Sequence, residues 1–146
     1  MSAAFRFRLA RVLRARRASE ESARRNLAEA QRSVAEHEER VGTLSGERAR
    51  AGEDRREMLG GRVDPGKLVQ AATFEASLER NLEAREKELR TSGEVADARR
   101  VALVAAAQRV RVLERLEERR RSSWSAERNL EEQKAVDDRA PRAEPT

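Results

Sequence analysis

The chain has 146 residues, 40% of them charged and only 3% aromatic, with 32 Lys or Arg against 27 Asp or Glu and a net charge of +5. That is one domain's worth of chain, with too few large side chains for a thick globular core. It has no cysteine, hence no disulfide and no thiolate metal site, and no apolar run near the ~20 residues of a membrane span. Charge of this density usually marks disorder, but here the apolar residues recur at heptad spacing, the mark of long helices. Of the 32 basic residues 29 are Arg. Arg makes forked contacts to phosphate or carboxylate partners; a GC-rich coding sequence gives the same bias, and composition does not separate the two.

Residues 3–18 read AAFRFRLARVLRARRA, with six Arg and no acid before Glu20. Phe5, Leu9, Val12 and Leu13 share one helical face, so a first helix is expected from about residue 5 to about 58. An Arg-rich, acid-free start also resembles a mitochondrial transit peptide, but the apolar face continues into the next segment without a break. The long apolar stretch of a secretory signal is missing.

With Leu27 at heptad position a, the a series is Leu13, Glu20, Leu27, Val34, Val41, Arg48 and Arg55. The d series is Arg16, Ala23, Ala30, His37, Leu44, Ala51 and Met58. Gly42, Gly46 and Gly52 each cost a helix interior about 1 kcal/mol relative to Ala, which predicts a weaker first helix and a bend near 42–52. His37, the only histidine, sits on d and is expected to set register or be half-buried rather than to act as a ligand or base.

A turn is expected at about 60–64. Gly60 and Gly61 end the first helix, and Asp64 caps the second, with Pro65 in its first turn where a missing N–H costs nothing. Gly61 to Lys67 fits the spacing of a phosphate-binding loop. The context excludes it: Leu68 stands where Ser or Thr would hold magnesium, Pro65 removes an N–H, and no strand precedes it.

The second helix is expected over about 65–138. Setting Leu82 at a places Leu89, Ala96, Leu103, Val110 and Trp124 on a, and Leu78, Ala106 and Leu113 on d. A 3.5-residue repeat of this length in a charged background specifies a coiled-coil helix. The short turn folds the two helices together, with residue i facing about residue 124 − i. This sets Val41 near Leu82 or Glu83, Val34 near Leu89 or Arg90, Leu27 near Ala96, and Leu13 near Val110 or Arg111. Two independently assigned seams then meet in register. The expected fold is all-α: a long antiparallel two-helix coiled-coil hairpin forming one domain over 1–139. The C-terminal turns of the longer helix project unpaired, and a disordered tail follows over 139–146.

Catalytic chemistry finds no support. There is one His, no Cys and no sheet to position a nucleophile, and no metal-ligand spacing stands out. Carboxylates sit with Arg at i, i+3 and i+4 spacing, as solvated helix faces do. No enzyme activity, cofactor or metal is expected. Two features rise above this background. The hairpin sets Arg6, Arg8, Arg11, Arg14, Arg16 and Arg17 beside Arg109, Arg111, Arg115, Arg119, Arg120 and Arg121, a basic cluster suited to an acidic partner or simply to solvent. Near the turn, Phe74 falls one residue off the seam, and with Leu78 and Leu44 it forms a candidate apolar patch; Leu78 is expected to be core.

These residues resemble the flagellar FliJ family. The likeness rests on the F-R-x-R-L pattern around residues 7–9, the Arg/Glu heptads after it, F-x-x-x-L at Phe74 and Leu78, and the C-terminal run L-E-R-L-E-E-R-R…W…E…E-Q-K…D-D-R-A. It covers nearly the whole chain. The resemblance implies an antiparallel coiled coil similar to the central stalk subunit of rotary ATPases. It implies work in the cytoplasm, at the inner face of the cell membrane, at the base of the flagellar type III export apparatus. The paired termini would enter the export ATPase ring, and the turn region would reach the cytoplasmic part of the export gate membrane protein; export chaperones are further implied partners. Carried over by residue, Phe74 and Leu78 match the apolar pair linked to gate contact, and Leu44 lies at the corresponding place on the first helix. Aromatics that some members carry nearby are replaced here by Glu47 and Ala51. The basic cluster matches the ring-entering end. Other readings are the equivalent stalk of a virulence type III secretion system, a basic coiled-coil nucleic-acid binder, and a membrane-surface hairpin resting on Phe5, Phe7 and Leu9. Against nucleic acid, aromatics for base stacking are missing and acids are mixed through the chain.

Overall fold

The computed structural model describes residues 3–140. Two helices, α1 (Ala10–Met58) and α2 (Pro65–Arg139), pack against each other as a hairpin, and no strand occurs among the described residues. Arg139, expected to open the tail, closes α2 instead; the rest of that expected tail, beyond Ala140, lies outside the described residues.

α1 starts at Ala10 rather than near residue 5. Residues 3–7 have no regular structure, and residues 8 and 9 form a turn into the helix. The Ala10 amide donates to the Phe7 carbonyl at 3.2 Å, and the Leu13 amide to the Leu9 carbonyl at 2.9 Å. The reason is visible in the sequence. Phe5-Arg6-Phe7-Arg8-Leu9 alternates apolar and charged with period two, which suits an extended segment and not a helix. Burial follows the same alternation: Phe5, Phe7 and Leu9 are half-buried while Arg6 and Arg8 are exposed.

α1 runs unbroken through Gly42, Gly46 and Gly52. It ends at Met58 by tightening, with the Leu59 and Gly60 amides donating to the carbonyls of Arg56 and Glu57, both at 3.1 Å. No glycine has a positive φ among the described residues, so the helix closes on i→i+3 bonds instead of the left-handed glycine cap. Asp64 caps α2 as expected. Its Oδ1 accepts from the Gly66 amide at 3.0 Å and lies 3.4 Å from the Lys67 amide. The Gly66 and Lys67 amides, two of those a phosphate loop would present, are therefore engaged within the chain.

The chain divides into two compact units. The turn unit, Ala23–Leu103, contains the end of α1, the loop and the first half of α2. Its buried seam is Ala30, Ala51, Leu78 and Ala96, flanked by half-buried Leu27, Val34, Val41, Leu82 and Leu89. Four cross-helix pairs fix the register: Ser33 with Ser92 (3.3 Å), His37 with Glu88 (3.8 Å), Arg48 with Glu79 (3.1 Å) and Arg55 with Glu75 (2.7 Å). Ser92 and Glu88 each lie one residue beyond the expected partner, Glu79 three residues beyond and Glu75 six. Alanine supplies three of the four buried positions, so the helices come close while each layer hides little apolar area.

The terminal unit is Met1–Ser22 with Val104–Thr146. Here Leu13, Ala106 and Val110 are buried. Arg17 reaches Glu114 at 3.3 Å; both occupy e positions beside the seam, where charged side chains commonly pair. α2 outruns α1, but its next turns do not stand bare. Residues 3–9 lie along them as a strap, held by Phe5 against Trp124 (centroids 5.9 Å apart) and by Arg128 Nη1 donating to the Ala3 carbonyl at 3.2 Å. Past Arg128, every described residue is exposed.

Candidate functional site

The two units differ sharply in charge. Residues 23–103 carry 16 basic and 16 acidic side chains, while the terminal unit carries 16 basic against 11 acidic. The whole net charge of +5 therefore resides in the terminal unit. All twelve arginines singled out from the sequence belong to it and are exposed. Arg6 and Arg8 project from the strap; Arg11, Arg14, Arg16 and Arg17 occupy the first turns of α1. Arg109, Arg111, Arg115, Arg119, Arg120 and Arg121 lie on α2. Arg17 is engaged with Glu114, and Arg121 with Glu117 at 3.3 Å. Arg121 also covers the Phe5 ring at 5.3 Å.

Sequence reasoning missed the aromatic cluster in the midst of this charge. Phe5 and Trp124 meet edge-on-tilted at 53°, with Arg121 over the first ring and Arg128 over the second at 5.0 Å. Each guanidinium faces the electron-rich side of a ring, a favourable cation–π arrangement. The period-two alternation of residues 5–9 was the signal that could have found it.

In the turn unit the three candidate contact residues separate. Phe74 is 59% exposed, Leu44 is half-buried, and Leu78 is 5% exposed on the seam. Phe74 and Leu78 are one turn apart, but only Leu78 falls on the heptad repeat. Phe74 has exposed apolar company in the same unit: Leu59, Val63 and Val69. His37 Nδ1 is enclosed without a hydrogen-bond partner, 3.8 Å from Glu88 Oε2. Among the described residues, no group of three or more His, Cys, Asp or Glu is placed to hold a metal.

A family model described as Flagellar FliJ protein matches residues 5–143. The chain belongs to the FliJ family. As a FliJ-family member it is a component of the flagellar export apparatus, in a family without catalytic function. The match begins at Phe5 and takes in most of the strap and both helices of this chain. No curated protein and no solved structure matches the chain. Among the described residues, no helix is long and apolar enough to cross a membrane.

Proposed function

We propose that this FliJ-family chain is a non-enzymatic stalk and adaptor that links the export ATPase ring to the export gate. The terminal unit binds the ring through its arginines, and the turn unit meets the cytoplasmic part of the gate protein through Phe74 and its neighbours. The chain works in the cytoplasm, at the inner face of the membrane, and export chaperones are further partners. The observation that carries this reading is the confinement of all net positive charge to the terminal unit. A charged face raises the encounter rate with an acidic partner and selects its orientation. Bound off-centre in a ring, a single asymmetric chain contacts its subunits unequally. It biases them between states by the difference in affinity, which promotes ring assembly and turnover.

The test is the quadruple variant Arg14→Glu, Arg16→Glu, Arg119→Glu and Arg120→Glu, assayed for binding to the purified export ATPase and for stimulation of its rate. Both should fall at least tenfold with helicity unchanged. Unaltered binding removes the charge argument. Failure of the parent chain to bind the ATPase, together with duplex-DNA binding of steep salt dependence, refutes the stalk reading.

A further inference from the structure

The strap and α2 enclose a groove of about 460 Å³ in the terminal unit. Its apolar wall is made by Phe5, Phe7, Leu9, Leu116 and Trp124. Arg6, Arg8 and Arg120 also line it, against one acidic residue, Glu127. We infer that this groove is a docking site for an acidic peptide segment of a partner protein that inserts a leucine- or phenylalanine-type side chain between the strap and α2.

Three features select this occupant. The first is charge complementarity: three arginines and one glutamate are among the lining residues, in a unit that holds the whole net charge of the chain. The second is shape. The groove is concave and of a volume typical of small binding sites, so it receives a side chain on a segment, whereas an anionic lipid surface asks for a flat apolar face. The third is the state of the aromatic rings. Arg121 and Arg128 already cover faces of Phe5 and Trp124, so those faces are not offered as stacking platforms for bases, while the aliphatic surface of Leu9 and Leu116 lines the groove. The walls are also pre-set. The Phe5–Trp124 contact and the bond from Arg128 to the Ala3 carbonyl hold the strap in place before any partner arrives, which lowers the ordering cost of binding. This goes beyond the ATPase reading: ring binding there depends on exposed charge alone, and here an apolar anchor is required as well.

Trp124 is the only tryptophan, and the chain has no tyrosine, so intrinsic emission reports on this groove. The probe is a synthetic 15-residue peptide of Glu, Asp, Ala and two Leu four residues apart, titrated into the full chain. Its binding should shift Trp124 emission to the blue and saturate. Replacing both Leu by Ser should weaken it at least tenfold, and so should the double variant Arg8→Glu, Arg120→Glu, whose side chains are exposed and whose helicity is checked by circular dichroism. An unmoved emission, equal binding of the Ser peptide, or a shift produced by phosphatidylglycerol vesicles and not by the peptide each overturns the inference. Because no ATPase is present in this titration, its result is independent of the ring-binding test.

Discussion

Arg55 and Glu75 face each other across the seam of the turn unit, Nε to Oε2, at 2.7 Å. Both occupy a positions, so a charge pair stands where an apolar layer would. The contact is close, but Nε lacks a hydrogen-bond partner of good geometry, and the attraction is that of an ion pair. The two side chains remain 41% and 21% exposed, so solvent screens them. A double-mutant cycle to Ala should give a coupling of no more than about 1 kcal/mol in urea unfolding. Replacing both residues by Leu should leave stability unchanged or raise it by about 1 kcal/mol or more. A fall of several kcal/mol on that replacement contradicts this account.

The glycines of α1 make a second test. A Cβ added at Gly42 or Gly46 meets nothing within 4 Å, and neither position requires a positive φ. Gly42→Ala and Gly46→Ala should each stabilise the chain by about 0.5–1 kcal/mol. At Gly52 the added Cβ meets Glu75 Oε1 at 3.6 Å, an ordinary contact beside the Arg55 pair, so Gly52→Ala should stabilise by less. Thermal melts of the three variants decide the order.

Leu78 and Phe74 should behave as opposites. Truncating the buried Leu78 to Ala should cost about 2–3 kcal/mol, because the seam loses one of its few large side chains. Phe74→Ala should cost under about 1 kcal/mol, since the ring is mostly in solvent. The same Phe74→Ala variant should lose affinity for the purified cytoplasmic part of the gate protein, by a pull-down in which the helicity of the variant is intact. Equal stability losses at the two positions would show that Phe74 packs as core.

The strap can be loosened without touching either helix. Phe5→Ala removes the ring that covers Trp124, a contact worth about 0.5–1.5 kcal/mol beyond its buried area. Trp124 emission should move to the red, and the helical content should hold, because α1 begins only at Ala10. An unchanged emission maximum would place the strap elsewhere.

Much of the hairpin was legible because its signals are local. The apolar spacing of α2 put Leu78, Ala96, Ala106 and Val110 on one stripe, and all four are buried. Asp64 followed by Pro65 read correctly as a cap. The expected start of α1 lies too early because Phe5, Leu9, Val12 and Leu13 also satisfy a helical face, while the period-two pattern of residues 5–9 suits an extended segment. Of the candidate site, the arginine positions were legible and the aromatic groove was not. Phe5 and Trp124 lie over a hundred residues apart, and nothing near either of them names the other.

Heptad spacing is a property of the backbone's own geometry, so the residues by themselves settled that there are two helices, where they reverse and which stripe each one hides. What the strap lies against and which arginine caps which ring were settled only when the chain doubled back. Those outcomes depend on which distant side chain fills the space alongside, and a repeat length carries no record of that.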